Sequence, residues 1–92
     1  MSEAWIEALR FAALPGAVTV RFERSESVDD GTPTVNFKLQ STDQSGSLIG
    51  DDRDYDLLKA AISPLERLSE AEGHANLIVE LDLKNNALSG LS

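Results

Sequence analysis

The chain has 92 residues, a net charge of −8, one histidine and no cysteine. This length suffices for one domain, and the lack of cysteine excludes a disulfide framework, a thiolate nucleophile and a cysteine-ligated metal site. The negative charge repels nucleic acid and anionic lipid, and it attracts basic protein surfaces.

The N-terminal segment has the periodicity of an amphipathic helix. Trp5, Ile6 and Leu9 recur at helical spacing, and Pro15 with Gly16 ends the helix. The acidic start is unlike a secretory signal, and no apolar run approaches the ~18–20 residues that span a membrane. We therefore expect a cytoplasmic protein whose first helix covers its own sheet.

Two strands are predicted next, in residues 17–24 and 34–40, because apolar and polar side chains alternate in both. The polar residues 25–33 contain an Asp-Gly step and a proline, which indicates a loop. Residues 41–46 form a turn between antiparallel strands, and residues 47–49 form a short third strand.

Residues 51–73 predict the second helix, which is capped by Asp51 or Asp52 and ended by Gly73. Pro64 follows a serine and precedes a glutamate two residues on, so a second helix could start there. The apolar stripe continues across Pro64 without a change of phase, which favours one kinked helix.

Residues 76–84 alternate clearly and predict the last long strand, followed by a tight turn at Asn85 and Asn86. Residues 87–92 are either a short returning strand or a frayed tail. The order α-β-β-(β)-α-β predicts a single α+β domain over residues 1–92. It is a two-layer α/β sandwich with a mostly antiparallel sheet and both helices on one face.

This topology predicts one acidic end. If the strand of residues 47–49 returns the chain to the side of the loop of residues 25–33, two acidic segments share one end of the sheet. Arg24 and Arg53 offset only part of the charge. The carboxylates expected to bind a partner there are Glu26, Asp29, Asp30, Asp51, Asp52, Asp54 and Asp56. The alternative is that these residues only keep the protein soluble and cap the helix.

No motif predicts catalysis, a cofactor or a metal site. Asp52, Asp54 and Asp56 match the first ligand positions of a calcium loop, but Leu57 and Ser63 stand where that loop needs glycine and glutamate. Gly-rich nucleotide-binding motifs are absent. An enzyme that uses paired carboxylates ranks last among the hypotheses, because so small a domain offers little room for a deep cleft.

The leading hypothesis is a non-enzymatic inhibitor that occupies a basic surface of a partner protein, for example the basic groove of a nucleic-acid-handling enzyme. Its size, charge and element order resemble those of immunity proteins and of phage proteins that block host defence. The alternative is a structural or adaptor subunit that binds through the outer face or the edge of its sheet.

Overall fold

The computed structural model describes residues 2–90 of the chain. These residues form two helices and four strands, and both helices pack against one face of the sheet. The elements are α1 (Ser2–Ala12), β1 (Thr19–Asp29), β2 (Thr32–Thr42), α2 (Tyr55–Glu72), β3 (Leu77–Asp82) and β4 (Ala87–Ser89). Neither helix of this part of the chain is long and apolar enough to cross a membrane.

The core lies between the helix layer and the sheet. Trp5 and Leu9 of α1, Phe22 of β1 and Leu65 of α2 are fully buried there. The Phe22 ring lies between two others, with its centroid 6.1 Å from that of Trp5 and 5.8 Å from that of Phe37. The predicted two-layer α+β architecture, with a sheet that is covered on one face, is confirmed.

Helix α2 is continuous through Pro64, as the unbroken apolar stripe predicts. Its cap is Asp54, whose side chain accepts a hydrogen bond from the Leu57 amide at 2.9 Å. The predicted cap at residue 51 or 52 is wrong, because Asp51 binds Arg53 instead. Gly73 ends the helix in the left-handed conformation, at φ 76°, as predicted.

The sheet has the strand order β2-β1-β3-β4, and every neighbouring pair is antiparallel. Strand β3 is shorter than the predicted strand of residues 76–84. A turn over residues 83–86 leads to β4, so the short returning strand is present. Residues 91 and 92 of the predicted tail lie outside the described residues.

Strands β1 and β2 form one long hairpin, and the predicted loop over residues 25–33 is wrong. Asp29 pairs with Thr32, so the connection is the two-residue turn Asp30-Gly31. Both turn residues have positive φ, 52° and 79°, as a type I′ turn requires. Backbone pairing holds this polar segment in strands although it has few apolar side chains.

The predicted third strand over residues 47–49 is also wrong. Leu48 makes a single bridge to Thr42, and the Ile49 amide donates a hydrogen bond to the Ser41 carbonyl oxygen at 2.8 Å. The chain then leaves the sheet edge at Gly50. The chain therefore stays at the end of the sheet where β2 finishes. Helix α2, and not a third strand, then carries the chain back to the opposite end, where β3 begins.

Candidate protein-binding surface

The two acidic segments lie at opposite ends of the molecule, so the predicted single acidic end is wrong. Asp29 and Asp30 are at the tip of the β1–β2 hairpin. The segment of residues 51–56 lies at the far end of β2, because Ile49 is bonded to Ser41 and the Arg53 guanidinium donates to the Ala12 carbonyl oxygen. Ten residue steps along β1 separate these ends by about 33 Å.

The carboxylates at the start of α2 have structural roles. Asp51 forms an ion pair with Arg53 at 2.7 Å, and Asp54 caps the helix. Asp56 lies in the first helical turn, where the positive end of the helix dipole stabilises a carboxylate. Asp52 is exposed. Three of the four carboxylates in this segment therefore stabilise the fold, which accounts for their presence without a binding partner.

The Asp51–Arg53 pair lowers the pKa of Asp51 below its ordinary 3.8, chiefly through the hydrogen bond from Arg53. A carboxyl with a lowered folded-state pKa stabilises the fold above its unfolded pKa, and this stabilisation is lost as pH falls through the folded value. The same pair raises the pKa of Arg53.

We expect Asp51→Asn to lower the free energy of unfolding by about 1 kcal/mol at pH 7, because it removes the charged partner of Arg53. This difference from wild type should disappear as the pH falls below the lowered pKa of Asp51. Urea unfolding over an acid pH series measures it. The neighbouring Asp52→Asn change is the control, and an equal loss in both variants would contradict the role of the pair.

The hairpin projects beyond the rest of the sheet. Pairing of β1 with β3 ends at Arg24 and Leu77, and residues 25–36 continue as a two-stranded ribbon, here called the hairpin arm. Five residues of β1 extend about 17 Å past that point. Every residue of the arm is exposed, which sets it apart from the remainder of the sheet.

The charged side chains of the hairpin arm are all acidic. Its charged side chains are Glu26, Asp29 and Asp30, and none is basic. Glu26 is fixed at the base of the arm by an ion pair with Arg24 at 2.8 Å. The carboxylates of Asp29 and Asp30 lie at the tip, where solvent surrounds them and a partner can reach them.

Exposed apolar side chains accompany these charges. In the strand register, Val28 faces Pro33 and Glu26 faces Val35, all on the helix side of the sheet. Val28 is 74% exposed and Val35 is 42% exposed. The apolar face that begins in the core therefore runs out along the arm without a covering element, a combination that favours protein contact.

A groove of about 420 Å³ lies between the two helices. Its lining residues are Ala4, Glu7, Ala8, Phe11, Pro64, Arg67 and Leu68. The Phe11 side chain is 66% exposed beside it. Among the described residues, no three histidine or carboxylate side chains come together closely enough to hold a metal ion.

The predicted strand over residues 34–40 places Val35 on its apolar, inward face, and the predicted loop over residues 25–33 includes Val28. The available signal was the Asp30-Gly31 step, which is a strong hairpin indicator when strand residues flank it. The sequence matches no protein-family model, and no curated protein and no solved structure matches the chain.

Proposed function

We propose that the protein is a non-catalytic, stoichiometric inhibitor that places its hairpin arm in a basic cleft of a partner protein. The observation that carries this proposal is the arm itself, which projects from the sheet with three carboxylates, no basic side chain and two exposed valines. Immunity proteins and phage anti-defence proteins are the classes of inhibitor that this function describes.

The acidic tip of the arm is a better contact than the start of α2. Asp51 and Asp54 already have partners within the fold, whereas Asp29 and Asp30 extend into solvent. Solvent-exposed charge on a projecting element steers a partner of opposite charge and speeds its association. Val28 and Val35 supply apolar area beside these charges.

The net charge of −8 favours a partner with a basic surface. A protein that handles nucleic acid presents a basic groove, which an acidic ribbon can enter in place of the phosphate backbone. The chain itself repels nucleic acid for the same reason. The proposed partner is therefore a protein with a basic cleft, such as a nuclease or another nucleic-acid-handling enzyme.

A matched pair of variants tests the role of the arm. We expect Asp29→Asn with Asp30→Asn to lower the affinity for the captured partner about tenfold or more, mainly by slowing association. Asparagine tolerates the positive φ at position 30, so the turn is preserved. Asp52→Asn with Asp56→Asn removes the same charge at the other end and should leave binding unchanged.

The assay immobilises each variant, applies lysate of the encoding organism at low and at high salt, and quantifies the co-eluting protein by mass spectrometry. The partner's affinity and stoichiometry are then measured with purified protein. A one-to-one complex with an inactive enzyme is expected. Capture that both double variants retain equally, and that salt does not weaken, would contradict a contact through the acidic arm.

The second candidate function is that of an adaptor subunit that binds through the outer face of the sheet. Ile78 favours it, because this residue of an inner strand is 41% exposed on that face. Arg21 and Glu23 on the neighbouring strand form an ion pair at 3.5 Å, so the surface is of mixed charge. Salt-insensitive capture in the assay above would favour this adaptor function.

A further inference from the structure

The direction of the backbone groups along β2 follows from its turn. In a two-residue hairpin the flanking residues, here Asp29 and Thr32, exchange both hydrogen bonds. Alternation then directs the groups of Thr34, Asn36 and Lys38 toward β1. The intervening residues of β2 direct their N–H and C=O groups away from β1, toward the open edge of the sheet.

Two hydrogen bonds agree with this alternation. The Ser41 carbonyl oxygen, on the odd-numbered side of β2, accepts from Ile49, which lies along the open edge. On β1 the even-numbered residues should point the other way, and the Glu26 amide does donate to the Asn76 side chain on the β3 side at 3.2 Å. Val35, Phe37 and Leu39 therefore carry the edge-directed amides of β2.

The molecule covers only one end of this edge. The segment of residues 47–49 lies antiparallel to the last residues of β2 and leaves after Ser41. At the other end of the edge, near the hairpin tip, Pro33 has no backbone N–H group and cannot donate a hydrogen bond. Residues 35–39 thus form an open stretch, whose edge-directed residues also carry the apolar side chains of the helix side.

We infer that an extended segment of the partner adds to residues 35–39 of β2 as a further antiparallel strand. The inference rests on the proposed function and specifies how the partner binds. The segment would carry apolar side chains at alternate positions, opposite Val35, Phe37 and Leu39. Its C-terminal end would carry Lys or Arg, because an antiparallel strand ends beside the acidic tip of the arm.

Charge argues for a basic partner in place of a second copy of the chain. Two copies paired antiparallel about Phe37 would set the hairpin tip of one, with Asp30, beside Asp43 of the other. Each copy also has a net charge of −8. Like charges brought together in this way oppose association, whereas a basic segment gains favourable contacts at the same positions.

Two proline substitutions in the intact protein test the inference. Val35→Pro removes an amide that points to the open edge, so no hydrogen bond between β1 and β2 is lost. Val28→Pro is the matched control, because it removes the corresponding free amide on the opposite edge of the arm. The probe is a short labelled peptide of alternating threonine and valine that ends in two lysines, and a version that ends in two glutamates is its charge control.

We expect Val35→Pro to weaken binding of the lysine-ended peptide about fivefold to tenfold, and Val28→Pro to leave it unchanged. Circular dichroism checks that both variants fold. In the wild type, amide hydrogen exchange provides a second test: Val35, Phe37 and Leu39 should exchange more slowly when the peptide is bound, while Lys38, whose amide points toward β1, is protected throughout.

The outcomes separate this inference from the proposed function. Equal peptide affinity in the two proline variants, or no slowing of the Val35 and Phe37 amides, overturns strand addition. If Asp29→Asn with Asp30→Asn still weakens capture of the partner in that case, the proposed function stands. Protection of the same amides by self-association of the free chain, detected by sedimentation, would identify a second copy as the occupant and overturn the inference.

Discussion

Replacing Phe22 by alanine is expected to lower the free energy of unfolding by about 3–5 kcal/mol. The side chain is fully buried, and its ring packs between those of Trp5 and Phe37. The substitution leaves a cavity at the centre of the core and removes both aromatic contacts. A domain of this size has a total stability of about 5–14 kcal/mol, so the substitution removes a large part of it.

Urea unfolding monitored by the fluorescence of the single tryptophan, Trp5, measures this loss. Phe11→Ala is the matched control, because the same ring is removed from a side chain that is 66% exposed. We expect it to cost less than about 1 kcal/mol. Losses of similar size at the two positions would show that Phe22 is not the centre of the core.

Replacing Arg24 by alanine is expected to cost about 2 kcal/mol of stability. Its Nη1 atom donates to the carbonyl oxygens of His74 and Ala75, at 3.0 and 2.7 Å, and to the Glu26 carboxylate at 2.8 Å. Hydrogen bonds that involve a charged group contribute about 1.5–3 kcal/mol. The exposed carbonyl groups regain water in the variant, and the buried Nε of Arg24 has no partner, so the net loss stays near the lower part of that range.

Arg67→Ala is the control for Arg24, because it removes the same side chain from an exposed position where its one hydrogen bond, to Ser63, spans a single helical turn. It should cost less than about 0.5 kcal/mol. Amide exchange adds a local readout, in which Leu77 and its neighbours at the start of β3 exchange faster only in the Arg24 variant. A uniform change along the chain would contradict the role of Arg24 in holding the connection between α2 and β3 against β1.

Periodicity was sufficient to predict the elements that bury an apolar face. The alternating pattern around Phe22, Phe37 and Val79 identified β1, β2 and β3, and the uninterrupted stripe across Pro64 identified one helix. In these segments the hydrophobic effect and the local backbone preference agree, so one pattern predicts both the secondary structure and the side that faces the core.

The hairpin arm was missed because its residues bury almost nothing. Its only apolar side chains are Val28, Pro33 and Val35, so the composition of residues 25–33 is that of a loop. Cross-strand hydrogen bonds and the Asp30-Gly31 turn hold it in strands instead. Hydrophobic periodicity does not detect backbone pairing of this kind, whereas turn chemistry does.

The predicted position of the acidic segment of residues 51–56 was wrong because it depended on whether residues 47–49 form a strand. Residues 47–49 have the composition of a strand, but only Leu48 bridges to β2 before the chain turns away at Gly50. Whether the chain crosses the sheet at this point decides which end holds residues 51–56. Local sequence does not contain that information, since it depends on where α2 packs against α1 and the sheet.

The residues that stabilise the fold and the residues of the exposed hairpin arm are different residues, because the arm lies outside the core. A two-stranded ribbon is only marginally stable alone, so its tip should open more readily than the sheet and the helices. Substitutions at the tip should change the free energy of unfolding little, because buried core residues such as Phe22 and Leu65 stabilise the fold. The residues of the tip can therefore change in sequence while the scaffold stays folded.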